Sequence, residues 1–120
     1  MDRLKRTHRL QDVRLALSLD EVGRGTRFEL RSTATRPRAR VERPILEAAK
    51  QAHVPVTWLR DSSTGNSDHR ELALAGAPAA KLGVADEPCR HTACDTPDRL
   101  SRGAFARVLE VVWPLLRDWV

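Results

Sequence analysis

Strand-like and helix-like stretches alternate along this chain, and that alternation limits its fold more than any other feature of the sequence. Four stretches have the length and apolar content of β-strands, namely residues 13–19, 27–33, 56–59 and 78–84. Helical spacing of apolar residues occurs over residues 44–54, in a short stretch that ends at Ala75, and over residues 101–119. Because strands and helices in alternation build layered α/β folds, we expect a largely parallel sheet flanked by helices.

The last of these helices is the longest element that the sequence predicts. Its spacing predicts a core-facing side formed by Phe105, Val108, Leu109, Val112, Leu115 and Leu116. Pro114 lies inside the same stretch, and we expect it to kink the helix because proline has no N–H to donate.

The size and composition of the chain fit one soluble domain. With 120 residues, 41% of them hydrophobic, the chain is long enough to bury a core and leaves little room for a second domain. No run of about 18 apolar residues occurs, so we expect no membrane span. The Met1 end, MDRLKRTHRL, carries charges where a signal peptide needs an apolar core, so we expect no export signal in this chain.

The net charge of +5 is concentrated near the amino terminus and decides little by itself. Lys and Arg outnumber Asp and Glu by 12 to 6 over residues 1–43, whereas the remainder of the chain is nearly balanced. The arginines Arg36, Arg38, Arg40 and Arg43 leave open a nucleic-acid-binding module, whose phosphate contacts would depend steeply on salt. We consider nucleic acid an unlikely partner because aromatic stacking residues and any recognised binding motif are missing.

Polar residues follow three of the predicted strands, at the places where α/β proteins carry their chemistry. Asp20 follows the first strand, the cluster Ser67, Asp68 and His69 follows the third, and His91 lies in the loop after the fourth. Carboxylate oxygens and imidazole nitrogens are ligands that zinc accepts, so a carboxylate and an imidazole meeting at one edge of a parallel sheet predict a metal site. As isolated signals, Asp20 also fits a turn residue at a strand end and His91 a surface-loop histidine.

Three segments, in this order, resemble the two-zinc aminopeptidases of the bacterial leucyl aminopeptidase type, in metallopeptidase clan MH. Residues 18–23, SLDEVG, resemble the family's N-L-D-M-V-G, and residues 65–79, GNSDHRELALAGAPA, resemble its S-D-H-x-P-F-x-x-x-G-I-P-A. Residues 89–96, CRHTACDT, resemble its Y-H-T-x-x-D-T. The resemblance covers most of the chain and implies that residues 1–120 are a single partial domain, the C-terminal half of a three-layer α/β/α zinc-peptidase domain.

The resemblance also implies a role for individual residues. Asp20 matches the aspartate that binds one zinc ion, and His91 matches the histidine that binds the other. Asp68 matches a position that supports ligands and substrate, although it is also a plausible helix-start residue. His69 and Asp95 match residues that fix the ligands or their loop, since a carboxylate beside a ligating imidazole orients it and raises its basicity.

Several departures from the family pattern limit what this chain can do by itself. The family's first histidine, its bridging aspartate and its Glu-Glu pair, which holds the general base, have no counterpart here, so two of five metal ligands are present and no catalytic residue is expected. Arg90 replaces an aromatic residue, and Glu71 and Leu72 replace Pro-Phe, which puts substrate preference in doubt.

The same resemblance bears on the pairing of the two cysteines and on where the parent protein works. Cys89 and Cys94 resemble a disulfide of exported bacterial members, which implies a secreted or periplasmic parent protein. The spacing alone also fits free thiols or a metal pair.

The function implied is zinc-dependent removal of amino-terminal residues from peptides, with two zinc ions in the complete site. We expect the isolated chain to be inactive, and its partners to be a peptide substrate and either the missing N-terminal half or a second copy. The alternatives are a non-catalytic interaction domain of the same fold and a relative of the glutaminyl cyclases.

Overall fold

A computed structural model describes residues 10–20, 22–61, 68–85, 93–94 and 96–119 of the chain. The strands are β1 (Ala16–Leu19), β2 (Phe28–Ser32), β3 (Val56–Arg60) and β4 (Ala79–Val84). The helices are α1 (Glu42–Gln51), α2 (Asp68–Leu74) and α3 (Arg102–Trp119), and short 3-10 turns occur at Leu10–Asp12 and Pro97–Arg99.

The four strands form one mixed sheet in the order β1-β4-β2-β3. β1 runs parallel to β4, with Ala16 opposite Ala79, and β2 runs parallel to β3, with Phe28 opposite Val56. The central pair, β2 and β4, is antiparallel. The sheet therefore consists of two parallel pairs that run in opposite directions, which confirms the α/β class and makes the sheet mixed where the sequence suggested largely parallel.

The hydrophobic core lies between one face of this sheet and the helices α1 and α3. The fully buried side chains Phe28, Leu30 and Leu82 of the sheet belong to the same cluster as Ile45 of α1 and Val111 of α3. The shorter helix α2 contacts β4 and β1 and contributes no residue to this cluster, so it covers the opposite face of the sheet. The three layers are thus helices, sheet and helix.

The boundaries of the elements follow local sequence signals. Pro44 lies in the first turn of α1, where a missing N–H leaves no helical hydrogen bond unmade. Gly76 ends the α2 segment with a positive φ of 93°, a conformation that glycine adopts without strain. The backbone N–H of Ala104 donates to the Ser101 hydroxyl at 3.3 Å, so Ser101 caps α3. α3 continues through Pro114 to Trp119.

The predicted core side of α3 is partly wrong. Val108 and Leu115 are buried as expected, and Val112 is half-buried, but Phe105, Leu109 and Leu116 are 48%, 61% and 51% exposed. The apolar residues of α3 cover more of its circumference than the part that packs against the sheet and α1. The buried side of α3 also includes Ala104 and Val111.

Candidate active site

Asp20 lies at the carboxyl end of β1, as the sequence predicted. Its backbone N–H donates to the carbonyl of Leu82 at 3.1 Å, which keeps the end of β1 paired with β4. Its side chain is 44% exposed, and its Oδ2 lies 3.7 Å from Nζ of Lys81. The Asp20 carboxylate is therefore partly open to solvent and lies beside the ammonium group of Lys81.

Gly83 allows the ends of β1 and β4 to approach each other closely. A Cβ atom at this position would lie 2.6 Å from the backbone oxygen of Asp20, which is closer than real Cβ contacts. Because that oxygen belongs to the backbone, a larger residue at Gly83 would displace Asp20 together with the end of β1. The position of the Asp20 carboxylate thus depends on a glycine in the neighbouring strand.

β4 ends at the same edge of the sheet as β1 because the two strands are parallel. The chain that follows it contains the predicted ligand His91 and the predicted site residues Arg90 and Asp95, and all three lie outside the described residues. Cys94 is disulfide-bonded. Its predicted partner, Cys89, also lies outside the described residues, so that pairing stays a prediction.

His69 is buried and bound to a carboxylate that the sequence analysis missed. It is 4% exposed, and its Nε2 lies 2.8 Å from Oδ2 of Asp61. Asp61 directly follows β3, its N–H donates to the carbonyl of Ser32 at 2.7 Å, and its Oδ1 lies 3.9 Å from a guanidinium nitrogen of Arg31. The signal was available, since Asp61 follows a strand just as Asp20 does.

His69 and Asp20 do not meet at one edge of the sheet. Asp61 follows β3, which runs antiparallel to the β1–β4 pair. The carboxyl end of β3 therefore lies at the end of the sheet opposite to the carboxyl end of β1. His69 is held at the β3 edge by its contact with Asp61. The mixed sheet therefore separates the strand end that leads to His69 from the strand end that carries Asp20.

The predicted helper roles of Asp68 and His69 stay predictions. Asp68 is the first residue of α2. The Nδ1 atom of His69 is buried and has no hydrogen-bond partner among the described residues, while Nε2 on the other side of the ring is held by Asp61. These contacts fix the orientation of the imidazole at the start of α2.

A second buried polar cluster fixes the loop between β2 and α1. Glu42 is fully buried and accepts hydrogen bonds from the backbone N–H of Arg38 at 2.8 Å and from its Nε at 2.9 Å. Burial alone would raise the pKa of the Glu42 carboxyl, but the hydrogen bonds and charge of Arg38, together with a hydrogen bond to Ser32, lower it below its usual value. The Ser32 hydroxyl also accepts the indole N–H of Trp58 at 3.0 Å.

The described residues by themselves do not fit a zinc ion. No group of three His, Cys, Asp or Glu side chains close enough to hold a metal occurs in the described part of the chain. Asp20 supplies a carboxylate oxygen of the kind that zinc accepts, and Nζ of Lys81 lies 3.7 Å from it. A zinc ion at Asp20 would need further donors from outside the described residues.

Comparison with known proteins places the chain in a family. The family model described as peptidase family M28 matches residues 2–116, so the chain belongs to peptidase family M28. The structure is similar to that of an aminopeptidase from Aneurinibacillus sp. strain AM-1, with a TM-score of 0.70, 20% sequence identity and coverage of 88% of this chain.

The similarity covers only part of the solved relative. The chain spans 25% of the length of that aminopeptidase, so the two proteins share the fold of this segment only. No curated protein matches the chain. Within the described residues, every helix is too short or too polar to cross a membrane.

Proposed function

We propose that this chain forms part of a zinc-dependent aminopeptidase that removes amino-terminal residues from peptides. The observation that carries the proposal is the position of Asp20, which belongs to the first family-like motif and lies exposed at the carboxyl end of β1. β4 ends at the same edge and leads into the motif that contains His91. Membership of peptidase family M28 supports hydrolysis of a peptide bond as the reaction.

In this proposal Asp20 and His91 each hold one of two zinc ions. Bound zinc lowers the pKa of water and polarises a carbonyl, which is the chemistry that hydrolysis of a peptide requires. Asp20 contributes a negative oxygen whose position is fixed by Gly83 and by the β1–β4 hydrogen bonds. The remaining ligands and the general base come from polypeptide outside these 120 residues, so the chain alone is inactive.

Zinc binding and hydrolysis measured together test the proposal. The purified chain should bind zinc weakly, since a catalytic zinc normally has three protein ligands, and that binding should be lost in Asp20→Asn and in His91→Ala. The chain alone should not hydrolyse an aminoacyl anilide. Zinc binding that is equal in the wild type and in both variants would contradict the assignment of the ligands.

The same experiment distinguishes the chain alone from an assembled enzyme. Hydrolysis by the chain alone that disappears in Asp20→Asn would refute the claim that essential groups lie outside it. His53→Ala is a matched control, because His53 is an exposed histidine that belongs to none of the family motifs, and its zinc binding and activity should equal those of the wild type.

A non-catalytic interaction domain is the second candidate, and two observations favour it. Nζ of Lys81 already places a positive charge 3.7 Å from Asp20. An open groove of about 730 Å³ between α1 and α3 is lined mainly by apolar side chains, among them Ala48, Ala52, Leu109 and Trp113. Under this candidate, zinc binding would be absent, and Lys81→Met would not create it.

A further inference from the structure

Lys81 is a lysine of β4 whose side chain is mostly shielded from solvent. Its neighbours Ala80 and Leu82 belong to the hydrophobic core, so Lys81 lies on the opposite face of the sheet, which α2 covers. Its side chain is only 13% exposed. Lysine side chains are seldom shielded to this extent unless the ammonium group is paired with an anion. The carboxylate of Asp20 is such an anion, with Oδ2 at 3.7 Å from Nζ.

The path of the Lys81 side chain depends on the same glycine that fixes the end of β1. Cε of Lys81 lies 3.5 Å from the place that a Cβ atom of Gly83 would occupy, so the side chain runs along β4 and past this glycine. Because Gly83 has no side chain, the ammonium group can continue to the carboxylate of Asp20. Gly83 therefore makes room both for the backbone of Asp20 and for the lysine that reaches its side chain.

The residues opposite Lys81 in the two neighbouring strands direct its charge toward Asp20. Lys81 lies opposite Ser18 of β1 and opposite Arg31 of β2. Ser18 carries no charge, and Arg31 carries the same charge as Lys81. The guanidinium of Arg31 donates to Glu29 from Nε at 3.0 Å and from Nη2 at 2.7 Å. Neither cross-strand partner thus offers Lys81 an anion, and Asp20 at the end of β1 does.

The ammonium group of Lys81 lies beside the carboxylate that the proposed function assigns to zinc. A zinc ion and an ammonium group are both attracted to this carboxylate, and they repel each other. Because the Lys81 side chain is mostly shielded, the repulsion is stronger than between the same two charges in bulk water. A zinc ion that binds Asp20 has either to tolerate this positive charge or to displace it.

We propose that Lys81 is a positioning residue that holds the Asp20 carboxylate when no metal is bound and competes with zinc for it. The competition lowers the affinity of Asp20 for a metal ion, so that zinc is retained only where enough further donors surround it. This inference rests on the proposed function, because it takes Asp20 to be a zinc ligand. It adds a residue of β4 that sets how tightly the metal is held.

The zinc affinity of the whole chain, measured in competition with a chromophoric chelator, tests this proposal. Lys81→Met removes the charge and keeps an unbranched apolar side chain, so it should raise the zinc affinity at least about tenfold, which corresponds to about 1.4 kcal/mol. Lys81→Arg keeps the positive charge and should keep the affinity close to that of the wild type. A purely structural role of the lysine stem would not separate these two variants by charge.

Two control variants separate the effect of Lys81 from that of net charge and from binding elsewhere. Lys50→Met removes the same charge from an exposed position of α1 and should leave the zinc affinity unchanged. Asp20→Asn combined with Lys81→Met should abolish the gain, because the competition concerns the Asp20 carboxylate. Circular dichroism verifies that each variant is folded, and Lys81→Gln is a second neutral variant that should show the same gain if Lys81→Met does not fold.

The outcomes distinguish failure of this proposal from failure of the proposed function. If Asp20→Asn abolishes zinc binding but the neutral variants of Lys81 bind zinc no more tightly than the wild type, Asp20 is a ligand and the competition is overturned. A gain in Lys81→Met that persists after Asp20→Asn is added also overturns it, since the metal then binds elsewhere. If Asp20→Asn changes zinc binding in neither background, the ligand assignment of the proposed function fails, and this proposal fails with it.

Discussion

Replacement of Glu42 by glutamine should lower the free energy of unfolding by about 2–3 kcal/mol at neutral pH. Glu42 is fully buried and accepts the backbone N–H and the Nε of Arg38 at 2.8 and 2.9 Å. Removal of one member of a buried ion pair costs about 3–5 kcal/mol. The expected cost of Glu42→Gln is smaller because the Arg38 side chain is 38% exposed. Water can therefore replace part of the interaction that the guanidinium loses with the carboxylate.

The size of this loss should depend on pH, with a sign set by the lowered pKa of Glu42. A carboxyl whose pKa is lower in the folded protein contributes stability that is complete above its unfolded pKa, about 4.3. That contribution disappears as the pH falls through the folded value. The difference in stability between the wild type and Glu42→Gln should therefore stay constant from about pH 7 to about pH 5 and shrink below about pH 4.

Urea unfolding at a series of pH values measures this difference. Tryptophan fluorescence is a suitable signal, because the indole of Trp58 donates to Ser32 next to the buried cluster. Glu47→Gln is the matched control, since Glu47 is exposed on the same helix, and its effect should stay within about 0.5 kcal/mol. The reasoning is refuted if Glu42→Gln costs no more than this control, or if its cost is undiminished at about pH 3.

Three further changes have expected outcomes that the same unfolding assay measures. Gly83→Ala should cost about 1–3 kcal/mol of stability, because its Cβ would lie 2.6 Å from the backbone oxygen of Asp20. The same change should weaken zinc binding, and unchanged stability would contradict the close approach of the two strands. Asp61→Asn should cost about 1–3 kcal/mol of stability by weakening the hydrogen bond to buried His69. The double variant Asp61→Asn/His69→Ala should lose less stability than the two single variants lose in total, because both changes remove the same hydrogen bond. Ser101→Ala should cost about 1 kcal/mol through loss of the α3 cap, and Ser101→Thr should retain most of the stability.

The sequence predicted the elements of the fold well because their signals are local. β2 alternates buried Phe28, Leu30 and Ser32 with half-buried Glu29 and Arg31. α1 begins within two residues of the start of the helical stretch predicted over residues 44–54. Asp20 was predicted to follow a strand, and it does. Each of these features depends only on residues that are neighbours along the chain.

The sequence could not predict features that depend on contacts between distant segments. The direction of β3 relative to β1 is set by which strands pair, and this direction separates His69 from Asp20. The ion pair of Glu42 with Arg38 has the local i,i+4 spacing, but the burial of Glu42 against Ser32 of β2 depends on tertiary packing. The exposure of Phe105 and Leu116 depends on how far the sheet extends under α3, and helical spacing carries no information about the width of the supporting sheet.

The order of the strands also determines how this chain can acquire its structure over time. β2 and β3 are consecutive strands joined by α1, so they form a local unit whose closure costs little chain entropy. β1 pairs instead with β4, the last of the described strands along the chain, so Ala16 pairs with Ala79 only after β2 and β3 have been synthesised. During synthesis β1, whose sequence ALSL is the most apolar of the four, can therefore pair with β4 only after β2 and β3 have been made.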